Sequence, residues 1–308
     1  MNKISVIGAG NVGTATARSI ATRELCREVA LIDIKPGLAE GNALDIQESA
    51  PLLGFHTRVR GYASLDAMRD SGLVIITAGY PRKPGMTRSD VLSSNIPIVY
   101  GIADHIAELC PRALVLVVTN PVDPLTYLLW KRLRCSRQQI VGLGGVLDTS
   151  RMASFIALET GLAVQGIRTL VLGGHGDQML PLPRFSSING IPLEVLMDQN
   201  TLEAIVERTR FAGAEILEQR KFSAHETPAA AITTMVASLV RDYRSILPCV
   251  AVLEGEYGLR EIAMSVPVCL GKNGIENIIE LSLHDEEQAV LARSAESIRA
   301  DLASAGSA

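Results

Sequence analysis

A chain of 308 residues with 47% hydrophobic and 20% charged side chains can bury a large core, with length for two lobes, and is excluded from global disorder. Its formal charge of −4 gives no basic footprint for nucleic acid or an anionic membrane surface, so small molecules are the expected partners. No apolar run approaches the ~20 residues of a membrane helix, and a strand pattern starts too early for a signal peptide, which predicts a cytoplasmic protein.

Lys3 to Ile7 is a short apolar run, followed by Gly8, Ala9, Gly10, Asn11, Val12 and Gly13. Beyond it, Ala17, Ala21 and Leu25 recur on one helical face with Ile20 beside them. Strand, glycine turn and helix give the GxGxxG spacing a physical meaning: a tight turn, an open approach for pyrophosphate, and close helix-to-strand packing. Val29 to Ile32 reads as a second strand, ending on Asp33 about 20 residues beyond the glycines. A carboxylate there accepts ribose hydroxyls and repels a ribose phosphate, so the stretch predicts NAD rather than NADP.

Leu73 to Thr77, Ala113 to Val118 and Ile140 to Leu143 read as further strands, apolar on both faces. Runs of this kind separated by helices predict a doubly wound parallel sheet, with ligands at the carboxyl ends of its strands. The glycine turn, Ala78-Gly79 and Thr119-Asn120-Pro121 all fall at such ends. Between Ala78 and Arg88, two prolines and two glycines forbid a regular helix and three cations, Arg82, Lys83 and Arg88, gather. The residues alone leave open a lid over the cleft or a solvated basic turn.

Leu147 to Thr160 reads as a helix near the boundary between lobes 1–145 and 146–308, with Asp148 as an N-cap and Arg151 as a surface charge. A buried strand, Thr169 to Leu172, runs into Gly173, Gly174, His175, Gly176 and Asp177. Histidine exchanges protons near neutrality, and flanking glycines let a ligand approach the backbone, although a solvated loop histidine would look the same. Asn189-Gly190 marks a hairpin, and helices follow over Thr201 to Glu218, with Leu202, Ile205, Ile216 and Leu217 as its apolar face, and over Pro228 to Arg241. Leu247 to Leu253 and Ala263 to Leu270 predict an antiparallel pair in which Pro248 and Pro267 push the strands toward sheet edges or place themselves at strand ends. Asp285 is the expected cap of a last helix carrying Leu291, Ala295, Ile298 and Leu302. Cys26, Cys110, Cys135, Cys249 and Cys269 show no metal-ligand spacing and read as buried, reduced thiols.

The strings GAGNVG, TAGYPRKPGMTR, VTNPVD, GGVLDTSRM and GGHGD follow one another in that order between Gly8 and Asp177. With them the sequence resembles the lactate/malate dehydrogenase family, and most of all its bacterial malate-type members built on the lactate-type plan. The resemblance implies a Rossmann NAD-binding lobe followed by an α+β substrate lobe, assembled as a homodimer or homotetramer. It implies that Gly8, Gly10, Asn11, Val12, Gly13, Asp33, Asn95, Val118 and Asn120 line the cofactor. It also implies that His175 is the general acid/base, that Asp148 orients it, and that Arg151 grips the substrate carboxylate. Arg88 then polarises the substrate carbonyl, and Asn120 hydrogen-bonds substrate. Arg82 stands where lactate-type members are usually uncharged, and in malate-type members an arginine there pairs with the second carboxylate. Two carboxylates in a dry site need two cations, so the expected reaction is malate to oxaloacetate, a step of the tricarboxylic acid cycle. A lactate dehydrogenase or a silent NAD-binding sensor are the alternatives. Lys221 to Thr227, KFSAHET, departs from the family, which has a glycine near Phe222 and aromatic residues near His225 and Glu226. Gln178 stands where relatives often carry glutamate.

Overall fold

The run Lys3–Ile7 forms β1, and the chain turns through its glycines into α1, Asn11–Thr22. The structure, a computed structural model, describes residues 1–81 and 85–305, so Arg82 and Lys83 lie outside the described residues. The alternation continues through β2 (Glu28–Ile32), α2 (Leu38–Glu48), the single turn α3 (Ala50–Leu53), β3 (Arg58–Tyr62) and β4 (Leu73–Ile76). It ends with α4 (Arg88–Leu109), β5 (Leu114–Val117), α5 (Val122–Leu133) and β6 (Ile140–Gly142). These six strands are parallel in the order β3-β2-β1-β4-β5-β6. The order reverses between β1 and β4, which opens a crevice at their carboxyl ends.

Strand burial explains the patterning. Val6, Leu31 and Ile75 point to the core on one face, which includes Ile20 of α1, while their successors Ile7, Ile32 and Ile76 point to the other, with Leu92 of α4 and Leu125 of α5.

The second half begins with α6 (Gly145–Thr160), followed by β7 (Ile167–Arg168), β8 (Val171–Gly173) and β9 (Met179–Pro181). After the hairpin β10 (Ser187–Ile188) and β11 (Ile191–Pro192) come α7 (Leu193–Leu196), α8 (Gln199–Arg220) and α9 (Glu226–Arg241). The chain closes with β12 (Ser245–Glu254), β13 (Arg260–Gly271), β14 (Gly274–Ile278) and α10 (Asp285–Ala305). β12, β13, β8 and β9 extend the first sheet antiparallel from β6, with β14 added on β13, and β11-β10-β7 form a separate small sheet. Asn189 and Gly190 both take positive φ, as the hairpin turn requires. Among the described residues no helix is long and apolar enough to cross a membrane.

Several expectations are corrected. β3 joins the sheet although its sequence, RVRGY, buries only Val59 fully. β12 and β13 are interior strands, and Pro248 faces Pro267 in register. The Pro267 carbonyl accepts the Ile279 N–H at 2.8 Å, on the side of β14, so the backbone polar side of Pro267 faces away from β12 and its missing N–H costs the β12–β13 ladder nothing. Asp148 is no N-cap, because α6 starts at Gly145 and carries it inside the first turn. Leu217 is exposed on α8. Asp285 is the first residue of α10, and the N–H of His284 before it is taken by Glu287 Oε2 at 2.8 Å. All five cysteines are free, but Cys135 and Cys269 are only half-buried.

Candidate active site

The glycine turn is shaped by what each residue must avoid. Gly8 has φ +102°, and a Cβ on Gly13 would stand 1.8 Å from the Gly8 carbonyl, so α1 can pack this close only without a side chain. Gly10 faces open space, with nothing within 4 Å of a built Cβ. The N-terminus of α1, with Asn11 and Val12 in its first turn, has no side-chain cap and no acidic residue, leaving amide donors and a positive dipole end for a pyrophosphate. Asp33 is tied to this turn, its Oδ2 accepting the Ala9 N–H at 2.8 Å and its Oδ1 the Lys35 N–H at 2.9 Å. These features fit a dinucleotide.

Two loops from the neighbouring strands face the turn. Asn95, buried on α4, accepts the Tyr80 N–H at 2.7 Å and donates to the Asn120 carbonyl at 2.8 Å, so its amide braces the loops after β4 and β5. Asn120 is exposed at the mouth, and Val118 is half-buried at the end of β5.

His175 lies just beyond β8, and its turn is clamped by buried side chains from distant elements. Ser294 of α10 accepts the Gly174 N–H at 2.7 Å, and Asp123 of α5 accepts the His175 N–H at 2.9 Å. Thr149 couples α6 to the strand, its Oγ1 accepting the Val171 N–H at 3.0 Å. That coupling brings Asp148 Oδ2 to 2.7 Å from His175 Nδ1. Asp148 is 1% exposed, so the contact is shielded from water. Three residues along the same helix face, Arg151 donates from Nη1 to Asp148 Oδ1 at 3.1 Å. Its guanidinium lies beside Gly213 of α8, and among the described residues no acceptor reaches its buried Nε.

Arg88 is the first residue of α4, behind a capping box formed by Thr87 and Asp90, so a helix anchors it rather than the loop expected from the prolines. Its Nη2 stands 3.4 Å from Asp123 Oδ2 and its Nε 2.9 Å from Asp301 Oδ2 of α10, the latter an ion pair without hydrogen-bond alignment. No periodicity or spacing marks Asp123, Ser294 or Asp301 as site residues, and the only sequence signal is that VTNPVD ends on Asp123. Arg82, the remaining expected substrate contact, lies outside the described residues.

The electrostatics follow from this crowding. Burial pulls the His175 imidazole pKa down, but the charge and hydrogen bond of Asp148 outweigh it, and with Arg151 opposing and Asp123 assisting the net displacement is upward. Burial pushes the Asp123 carboxyl up against the pull of Arg88 and the His175 N–H, and it pushes Asp301 up against Arg88. Among the described residues no cluster of three His, Cys, Asp or Glu side chains is placed to hold a metal ion.

Residues 2–142 match the NAD-binding domain of lactate/malate dehydrogenases, and residues 145–307 match the α/β C-terminal domain of the same enzymes. The chain belongs to the lactate/malate dehydrogenase family. It is 53% identical over 304 residues to the malate dehydrogenase of Nitrosococcus oceani, covering 98% of each chain. The solved malate dehydrogenase of Salinibacter ruber is similar, with 41% identity, a TM-score of 0.94 and coverage of 98% of this chain and 97% of that one. A lactate dehydrogenase from Cryptosporidium parvum, solved with lactic acid and nicotinamide adenine dinucleotide, is 34% identical with a TM-score of 0.96, covering 100% and 98%. The fold is therefore shared by both substrate types, and the substrate has to be argued from individual charges.

The family is one of NAD-dependent oxidoreductases, and Asp33 carries this chain's expected choice of dinucleotide. Asp33→Ser removes the charge that repels a 2′-phosphate while keeping a short acceptor, so the NAD/NADP ratio of kcat/KM is expected to fall by about tenfold or more. An unchanged ratio in steady-state assays would contradict the role. In the departing segment, His225 immediately precedes α9, stacks on the exposed Phe222 with ring centroids 6.1 Å apart, and keeps a buried Nδ1 without a partner among the described residues.

Proposed function

We propose that the protein catalyses the reversible oxidation of (S)-malate to oxaloacetate, a reaction of the tricarboxylic acid cycle, with His175 as general acid/base. The observation that carries this reading is the 2.7 Å contact between His175 Nδ1 and the buried Asp148. With Nδ1 donating to Asp148, Nε2 becomes the nitrogen that exchanges the proton, and the carboxylate stabilises the imidazolium. In oxidation Nε2 takes the hydroxyl proton of malate, and in reduction it returns that proton to the carbonyl oxygen of oxaloacetate. NAD, when bound, accepts the hydride, and its reduced form supplies it.

The other side chains hold charge in place. Arg151, whose buried Nε has no acceptor among the described residues, offers parallel donors to the carboxylate next to the reacting carbon. Arg88 polarises the carbonyl as negative charge grows on its oxygen, and Asn120 donates to substrate. Arg82 pairs with the second carboxylate as the loop between β4 and α4 closes and excludes water. Gly8, Gly10, Asn11, Val12, Gly13 and Asp33 hold the dinucleotide, with Asn95 and Val118 shaping its wall. In this reading the lobes divide at 145/146, and the enzyme acts in the cytoplasm as a homodimer or homotetramer.

An NADH absorbance assay on oxaloacetate and pyruvate tests the reading, with strong preference for oxaloacetate expected. A faster reaction with pyruvate would make it a lactate dehydrogenase, and no turnover of either would make it a sensor. Run against pH, the same assay reports His175. Reduction needs the protonated imidazole, so kcat/KM for oxaloacetate should be flat at low pH and fall as pH rises through a value above the ordinary ~6.5. Malate oxidation should rise through that value, and midpoints below ~6.5 would contradict the Asp148 contact.

A further inference from the structure

A second carboxylate besides Asp148 stands at His175, and the reaction as described gives it no part. Asp123 is wholly buried in the first turn of α5, where its Oδ2 meets both the His175 N–H, at 2.9 Å, and Arg88 Nη2, at 3.4 Å. Its Oδ1 is buried with no hydrogen-bond partner among the described residues. An asparagine of the same shape would satisfy the same N–H without burying a charge, so the carboxylate is explained by what its charge does to its neighbours. Arg88 is held from two sides, by Asp123 and by Asp301, and its remaining nitrogen, Nη1, lies 3.7 Å from where a Cβ on Gly176 would stand.

We propose that Asp123 is a positioning residue of the reaction centre: one buried carboxylate fixes the His175 backbone and holds Arg88 against the His175–Gly176 turn. The proton carrier and the carbonyl polariser then meet substrate as a preset pair. This rests on the roles assigned to His175 and Arg88 above. The charged groups around the imidazole are Asp148 and Arg151 from α6, Asp123 from α5 and Arg88 from α4, with Asp301 of α10 behind Arg88. Of these, Asp123 and Asp148 favour the imidazolium and Arg151 opposes it.

The test is Asp123→Asn in the full-length enzyme, with NADH affinity, kcat and KM for oxaloacetate, and the NMR titration of the His175 imidazole, whose resonance is identified by its absence in His175→Asn. Unchanged NADH affinity is expected, with His175 titrating lower than in the wild type. kcat/KM should fall about tenfold or more, and Asp123→Asn should add little to the loss already caused by Arg88→Gln. Losses that multiply across the two sites, with the His175 titration unmoved, would reduce Asp123 to a structural residue and overturn the proposal. If Asp123→Asn does not fold, the double variant removes both members of the charge pair. A His175 titration there no lower than in Arg88→Gln overturns the proposal equally. Full turnover in His175→Asn would sink the acid/base assignment instead, and the two failures are therefore distinct.

Discussion

His175→Asn is expected to lower kcat in both directions by about 10³-fold or more while leaving NADH affinity within about twofold. The asparagine amide can still donate toward Asp148, so the packing of the turn, with Ser294 on Gly174 and Asp123 on the backbone of residue 175, survives the change. What disappears is a group that gains and loses a proton near neutrality. The alkoxide formed in reduction then has no adjacent acid, and the hydroxyl in oxidation has no base. A pre-steady-state burst of NADH oxidation at the wild-type rate would show that the proton goes elsewhere.

The second large effect concerns the substrate. Arg82→Gln is expected to cut kcat/KM for oxaloacetate by about 10³-fold and to raise that for pyruvate, because a carboxylate left unpaired in a closed, dry site costs several kcal/mol. The wild type should reject pyruvate for the converse reason, since a methyl group would leave Arg82 buried without a partner. In this reading Arg151 is committed to the carboxylate beside the reacting carbon and Arg88 to the carbonyl oxygen, so the distal carboxylate needs a further cation. An unchanged oxaloacetate/pyruvate ratio in the variant would remove Arg82 from the specificity argument.

Local chemistry explains which parts of this were legible in the residues. β1, its glycine turn, α1 and Asp33 are close in sequence and each has a signature of its own, so their arrangement is readable without the fold. The same holds for the buried parallel strands, whose consecutive apolar residues serve opposite faces of one sheet. β3 is hidden because an edge strand with polar neighbours needs no apolar run. Pro248 and Pro267 mislead because the rule concerns N–H groups, and two prolines facing each other can turn those positions away from their shared ladder. At the site, the pairing of Asp148 with His175 follows from motif resemblance and not from spacing. Asp123 and Ser294 are further removed still, reaching the His175 turn across 52 and 120 positions of chain, a proximity only the tertiary packing creates.

The central claim is that one guanidinium meets each end of a four-carbon diacid while an imidazole serves the oxygen between them. A crystal structure of the ternary complex with NADH and an unreactive dicarboxylate analogue tests it directly. The account predicts Arg151 on the carboxylate beside the reacting carbon, Arg82 on the far one, and His175 Nε2 within hydrogen-bond reach of the central oxygen. Arg82 turned out to solvent over a fully closed cleft would contradict it.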